Sequence, residues 1–374
     1  MEQHRHNRRR RLFGSVGSAV AAALLLSACG LWSDDGEPAP APTAASSISC
    51  APQGQLAASG STAQQNAMKH WMEEYQQACP GVKIRYVPIG SGGGVSQFLR
   101  GATVLGGTDS TLKTDEIEDS REVCRGGRAI DLPMVGGPIA IGYNLTGVEN
   151  LVLDAETLAR IFDSKIDTWN DPAIARLNPG VRLPSAPIVA VHRSDESGTT
   201  QNLNAYLSGA ARDVWPYAKE RAWQAKGGHS AAGSGGVASQ VRATEGAIGY
   251  FELSFATADD IPTVRLDTGA PEPVTVSART ASAGIAAARV SGTGKDMGLE
   301  FDYRTGLADT YPIVLMTYVI VCDTGTRPEA LPALRSFLAY TASAEGQSEL
   351  TRLHHAPLPE KVAAQVRGVI SSLS

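Results

Sequence analysis

Two long apolar stretches, Ala129–Asn144 and Tyr311–Val321, restrict most tightly what this chain can fold into. Both read as extended. The first is interrupted by Gly136-Gly137-Pro138 and reads as a crossing from one lobe into a second; the other reads as the return. Around them the chain repeats strand, Gly/Ser/Thr turn and helix. Gln55–Ala58, Val82–Ile89 and Val104–Gly107 pattern as strands, and Thr62–Ala78, Val95–Arg100 and Lys113–Cys124 as helices. Helices are also expected over Pro328–Tyr340 and near Pro359–Ser371. Such repeats imply α/β lobes with largely parallel cores. Two crossings between two of them describe a hinged clamshell. The division expected is 50–135 with 311–374 for lobe I and 136–310 for lobe II. The Gly/Ser-rich run Lys226–Gly236 reads as a surface loop, and His354-His355 as a surface turn before Pro357.

The first 49 residues stand apart from this pattern. Arg5 and Arg8 to Arg11 precede an apolar run, Leu12–Ala28, that is too short and too rich in Gly, Ala and Ser for a membrane span. It ends in Leu26-Ser27-Ala28-Cys29, which resembles the lipobox of bacterial lipoproteins. Residues 1–28 are therefore expected to be a signal peptide, with Cys29 lipidated as the mature N-terminus. Residues 29–49 carry Pro38, Pro40 and Pro42 among small residues and read as a flexible tether. As a random coil it would span on the order of 25 Å. These signals place the folded body on the outer face of the cytoplasmic membrane.

Removing residues 1–28 takes away five of the 33 basic and one of the 38 acidic residues, leaving 28 against 37, a net charge of −9. That balance, with no basic stripe after Arg11, argues against nucleic acid as a partner. Cys50, Cys79, Cys124 and Cys322 remain, an even number in an exported chain, which favours disulfides. The favoured pairing is Cys50–Cys79 with Cys124–Cys322, because Cys50 precedes the first strand and Cys79 ends the following helix. The other two connectivities and free buried thiols stay open. None of the four has the spacing of a zinc site, and nothing calls for a metal or a cofactor.

Four short segments share one physical theme. They are Gly60-Ser61-Thr62, Gly90-Ser91-Gly92-Gly93-Gly94, Thr108-Asp109-Ser110 and Arg193-Ser194-Asp195-Glu196-Ser197-Gly198-Thr199. Each falls at the carboxyl end of a strand, where open α/β sheets bind ligands. Three of them also open helices, whose free amides and dipole suit an anion. Hydroxyls at Ser61, Thr62, Ser91, Ser197 and Thr199 add donors, and Arg193 is the one cation in the set. Singly, each turn is explained as an ordinary helix cap.

Together and in this order, "GST" at 60–62, "IGSGGGVSQF" at 89–98, "GGTDS" at 106–110 and "HRSDESGTTQ" at 192–201 resemble the ligand segments of PstS-type phosphate-binding proteins. "TWNDPAIARLNPGVRLP" at 168–184, "GAIGYFE" at 246–252 and "PLPEKV" at 357–362 match other stretches of that family. The resemblance implies an α/β, two-lobe periplasmic-binding-protein clamshell (type II) with two interlobe crossings. It also implies extracytoplasmic binding of inorganic phosphate, by a monomer, for import through the permease subunits of an ABC transporter. The family's anion ligands fall on Thr62, Ser91 and Asp109 in one lobe and on Arg193, Ser197, Gly198 and Thr199 in the other, with Asp195 as partner of the arginine. Ser61 joins them where the family carries a small residue, and Glu196 stands where it more often carries Gly.

The chemistry agrees with that assignment. Phosphate at neutral pH keeps at least one proton, whereas an ionised Asp109 can only accept. Sulfate has no proton to give and would leave that acceptor unpaired beside a like charge, enough for discrimination of ~10⁴ or more. Two other readings compete: a receptor for another tetrahedral oxyanion, which Asp109 opposes, and a secreted phosphate-ester hydrolase. For a hydrolase, His192, His229, His354 and His355 show no recognisable metal spacing, and Gly228-His229-Ser230-Ala231-Ala232 departs from a nucleophile elbow at its last residue.

Overall fold

Strand–turn–helix alternation organises the chain in the computed structural model, which describes residues 48–286, 288–303 and 306–374. The expected signal peptide, the lipidation at Cys29 and nearly all of the tether lie outside the described residues. One lobe begins with β1 (Gly54–Gly60), α1 (Gln65–Ala78), β2 (Val82–Pro88), α2 (Ser91–Leu99), β3 (Leu105–Thr108) and α3 (Thr114–Asp119). Then β4 (Ala129–Tyr143) crosses to the other lobe. There follow β5 (Val152–Asp154), α4 (Ala155–Phe162), α5 (Pro172–Leu177), β6 (Val189–Arg193), α6 (Gly198–Ala210), β7 (His229–Ala231), α7 (Gly233–Ala243), β8 (Ala247–Glu252) and α8 (Leu253–Ala258). Next come β9 (Arg265–Asp267), α9 (Ala278–Ala286), β10 (Arg289–Val290) and β11 (Leu299–Glu300). The chain returns along β12 (Val314–Cys322) and ends in α10 (Leu331–Thr341), α11 (Ala344–Ser348) and α12 (Glu360–Ser371).

The main sheet runs β2-β1-β3-β12-β4-β8-β6-β7. Its outer trios, β2-β1-β3 and β8-β6-β7, are parallel, while β12 and β4 run antiparallel to their neighbours in the middle. Each trio is the core of one lobe, and the two central strands are the crossings. Both are buried along their whole length, which explains their largely apolar character, broken by Asp131 in β4 and Thr317 in β12. Gly136-Gly137-Pro138 does not break β4. Instead the strand changes partner there: up to Pro138 it pairs with β12, and from Ile139 it pairs with β8. On its other side, Gly136 exchanges two backbone hydrogen bonds with Ala356, both 2.8 Å.

Packing follows the sequence periodicity. The helical spacing of Ala67, Trp71 and Tyr75 buries all three on one face of α1, and Tyr75 there meets Phe337 of α10 edge-on at 5.3 Å. The buried Trp71 indole donates to the Gly346 carbonyl at 2.6 Å, so its one polar atom is satisfied. In the other lobe Phe162 packs edge-on against Tyr250 at 5.6 Å. The disulfides are Cys50–Cys79 and Cys124–Cys322, the favoured pairing of the three.

Four local expectations need correction. Helix α2 starts at Ser91, not at Val95, so three glycines make up its first turn. They are there because neighbours approach too closely for side chains: a Cβ on Gly94 would lie 2.5 Å from the Gly60 Cα. Close approach outweighs the poor helix propensity of glycine. The helix expected over 113–124 is a short α3 followed by a single 3₁₀ turn, Ser120–Glu122. Lys226–Gly236 is not a loop throughout, because His229–Ala231 pairs with β6 and Gly233 opens α7. Finally, His354 is exposed at φ +63°, but His355 beside it is fully buried.

Candidate functional site

The four glycine and hydroxyl segments meet between the lobes. Gly60-Ser61-Thr62 follows β1, Ser91 opens α2, Asp109 follows β3, and Arg193 to Thr199 run from the end of β6 into α6. Ser61, Thr62, Ser91, Asp109, Arg193, Ser197 and Thr199 are each at most 6 % exposed. So many buried polar groups must find partners. How they do so defines the site.

Asp109 is the centre of the first half. One carboxylate oxygen accepts from the Ser61 hydroxyl and the other from Ser91 at 3.3 Å. The Ser61 oxygen in turn accepts the amides of Ala63 (3.0 Å) and Gln64 (3.2 Å) at the start of α1. Ser91 Oγ accepts the amide of Asp109 itself at 3.2 Å. Burial pushes the Asp109 carboxyl up to about 6, against the pull of the Ser61 hydroxyl, Arg193, the Ser91 hydroxyl and Arg221.

Arg193 is the centre of the second half. Its Nε donates to Asp195 Oδ1 at 2.7 Å and its Nη2 donates to Oδ2, a fork-to-fork pair. Burial raises Asp195, but the hydrogen bonds and charge of Arg193, with the Gly233 amide at 3.0 Å, outweigh it and hold the carboxyl below its ordinary value. Ser197 caps α6 by accepting the Thr200 amide at 3.2 Å. Among the buried polar atoms without a protein partner are Arg193 Nη1 and Thr199 Oγ1. An unpaired guanidinium N–H at this depth is costly, and an acceptor held in the cleft would satisfy it, an anion best of all.

The halves touch directly. The Gly198 amide donates to Ser91 Oγ at 3.1 Å, and the Gly92 amide to the Glu196 carbonyl at 3.0 Å. Asn202 Nδ2 donates to the carbonyls of Asp109 (2.7 Å) and Gly198 (2.8 Å), bridging the lobes. The lobes are therefore closed on each other.

Three participants escaped sequence reasoning. Ser234, fully buried at the start of α7, gives its amide to Thr62 Oγ1 at 3.0 Å and shares a hydroxyl–hydroxyl bond with it at 3.1 Å. Its signal was present: Gly233-Ser234-Gly235-Gly236 repeats the glycine and hydroxyl pattern of 90–94 ahead of a helical apolar period. Tyr250 Oη accepts the Arg193 amide at 3.2 Å and bonds Thr200 Oγ1 at 2.7 Å. Arg221 lies beside the Asp109 loop, and nothing local in the sequence marks it. Among the described residues no group of three or more His, Cys, Asp or Glu could hold a metal ion.

Fold and site together define a class, the two-lobed binding proteins that close on a small solute. Residues 45–345 match the family model described as a PBP superfamily domain. The chain is 39% identical over 370 residues to the phosphate-binding protein PstS3 of Mycobacterium bovis, covering 97% of this chain and 99% of that protein. It is 31% identical over 329 residues to the phosphate-binding protein PstS of Methanocaldococcus jannaschii, covering 81% and 82%. The chain belongs to the PstS family of phosphate-binding proteins. Among solved structures, a high-affinity periplasmic phosphate-binding protein (PfluDING) bound with phosphate superposes with a TM-score of 0.68 at 22% identity, covering 84% of this chain and 93% of that one. At that identity the likeness bears on the fold.

Proposed function

We propose that this chain binds inorganic phosphate in the closed cleft, outside the cytoplasmic membrane, and hands it to the permease of an ABC transporter. One observation carries the reading. Two buried atoms that can donate, Arg193 Nη1 and Thr199 Oγ1, lack protein partners in a cluster that also buries an acceptor, the Asp109 carboxylate. The ligand that suits this set is an oxyanion with a proton of its own. Thr62, Arg193, Ser197 and Thr199 supply the donors in this reading, Ser91 and Gly198 line the ligand beside them, and Asp109 takes the ligand's proton. Ser61 and Ser91 act first on Asp109, because each gives it its one hydroxyl proton. Their contribution is to orient that carboxylate.

The reading is of binding without turnover. His192, the histidine next to the arginine, stacks on Trp223 at 4.9 Å and bonds the Arg193 carbonyl through Nδ1 at 3.0 Å, so it does not pair with a cleft hydroxyl. The lobe division at 135/136 and 310/311, the monomeric state and the lipid anchor at Cys29 belong to the same proposal. Relatives that carry the name phosphate-binding protein along nearly the full chain support it. Calorimetric titration of ligand-freed protein tests it. Phosphate should bind and close the clamshell while sulfate gives no heat; sulfate binding as tight as phosphate, or no phosphate binding, would remove it.

A further inference from the structure

Between α6 and β7 the chain runs from 211 to 228 without helix or strand. This strap is rooted in the second lobe by aromatic packing. Trp223 stacks on His192 and on Tyr250, the latter at 5.8 Å, and Trp215 packs on Trp223 at 5.7 Å. From that root it reaches the first lobe. Arg221 is 5 % exposed, and its guanidinium donates only to residues just beyond Asp109. Nε donates to Ser110 Oγ at 3.2 Å, Nη2 to the Thr111 carbonyl at 3.4 Å, and both Nη atoms grip the Glu116 carboxylate, Nη2 at 3.1 Å. Beside it Lys113 Nζ meets Glu220 Oε2 at 2.7 Å. The backbone of Arg221 faces the other way: its carbonyl accepts the amide of Ser197, the cap of α6, at 2.9 Å.

One residue thus holds the loop after Asp109 with its side chain and the α6 ligand segment with its carbonyl. We propose that Arg221 is an interlobe latch that favours the closed clamshell and governs how fast bound phosphate leaves. This rests on the cleft being a phosphate site. A buried ion pair stabilises only when its geometry is good and its remaining hydrogen bonds are met. Here the grip on Glu116 is bidentate, and two further acceptors take Arg221 donors. In an open clamshell both charges return to water and these bonds are lost. The latch therefore shifts the open–closed equilibrium, and apparent affinity scales with the closed fraction. Pairs of this type act mainly on dissociation, because they form after the partners have met.

The test uses the full-length chain with Arg221→Ala, with the milder Glu116→Gln, and with both changes. Phosphate release is followed by stopped flow, and the interlobe distance is followed by labels at two exposed positions, Lys69→Cys on α1 and Arg242→Cys on α7. Release should quicken on the order of 10- to 100-fold in Arg221→Ala. Association should change by less than about threefold, and the ligand-free lobes should move apart. The double variant should be no worse than Arg221→Ala, since the two residues act as one unit. If Arg221→Ala folds poorly, Glu116→Gln decides the matter with a smaller change in the same direction. Unchanged release and an unchanged distance would overturn the latch. If the wild type binds no phosphate, the functional reading falls, and the distance comparison alone settles the latch.

Discussion

The Gly198 amide and the Ser91 hydroxyl, from opposite lobes, form a hydrogen bond of 3.1 Å. A glycine is needed for it: a Cβ at 198 would lie 2.5 Å from the Asp109 Cβ and 2.7 Å from Ser91 Oγ. Gly198→Ala should therefore oppose closure while leaving each lobe intact. Overpacking of this kind costs about 1–3 kcal/mol, so phosphate affinity should drop about tenfold or more. Calorimetry with phosphate and a melting curve without it separate the two effects. Wild-type affinity in the variant would mean that the cleft closes differently from the structure described.

Asp109→Asn should narrow the preference for phosphate over sulfate. The carboxylate accepts a ligand proton and repels a fully ionised oxyanion, whereas an amide can donate to sulfate. Phosphate loses a charge-assisted hydrogen bond of roughly 1.5–3 kcal/mol but also escapes like-charge repulsion. The selectivity ratio should therefore fall further than phosphate affinity itself. Competition titrations at one pH and ionic strength measure that ratio. Undiminished rejection of sulfate would take Asp109 out of the selectivity role.

The same carboxyl gives a pH signature. Its ionisation in the ligand-free protein is raised by burial to about 6. Below that pH it carries a proton and becomes a donor to sulfate. Sulfate affinity should thus fall about tenfold per pH unit as pH rises above about 6 and level off below it, the behaviour of one coupled proton. In Asp109→Asn the slope should vanish. A sulfate affinity that ignores pH in the wild type contradicts the assignment.

Glu252 and His355 are fully buried where β4 changes partner, with Oε1 and Nδ1 3.5 Å apart. Burial drives Glu252 well above its ordinary 4.5 and pushes His355 down to about 3. The two therefore have opposite linkage. The raised acid contributes stability at low pH that is lost as pH rises; the depressed base contributes stability above its ordinary 6.5 that is lost as pH falls towards about 3. Glu252→Gln removes the first slope and leaves the second. Relative to this variant, the wild-type melting temperature should decline as pH rises above 4.5. A constant offset from about pH 4 to about pH 9 would show that Glu252 ionises normally.

For the anchor, Cys29→Ala should abolish incorporation of a labelled fatty acid, since the Leu26–Cys29 tetrapeptide ends in the acceptor thiol. Undiminished labelling of the variant would place the lipid elsewhere or show that there is none at Cys29.

Much of this molecule was legible in one dimension. Strand, turn and helix alternate with local signals, so β1, β2, β3 and β6 and the turns that follow them could be read from periodicity, glycine and hydroxyls. Membership of the PstS family was legible as a resemblance, in the motifs at 60–62, 89–98, 106–110 and 192–201 and their order; that these turns suit an anion was legible because a helix N-terminus presents its amides whatever surrounds it. The tertiary structure decided the rest. Three glycines became the first turn of α2 only because Glu196, Ile89 and Gly60 press against Gly92, Gly93 and Gly94 in turn. His229–Ala231 became a strand only because β6 offers an edge. His355 is buried, and its exposed neighbour His354 is not, because β4 and Ala356 exchange backbone bonds beside it. Ser234 meets Thr62 across 172 positions of chain and Arg221 meets Glu116 across 105. Periodicity and propensity describe a residue's near neighbours, whereas these last two contacts exist only where the two lobes close on one another.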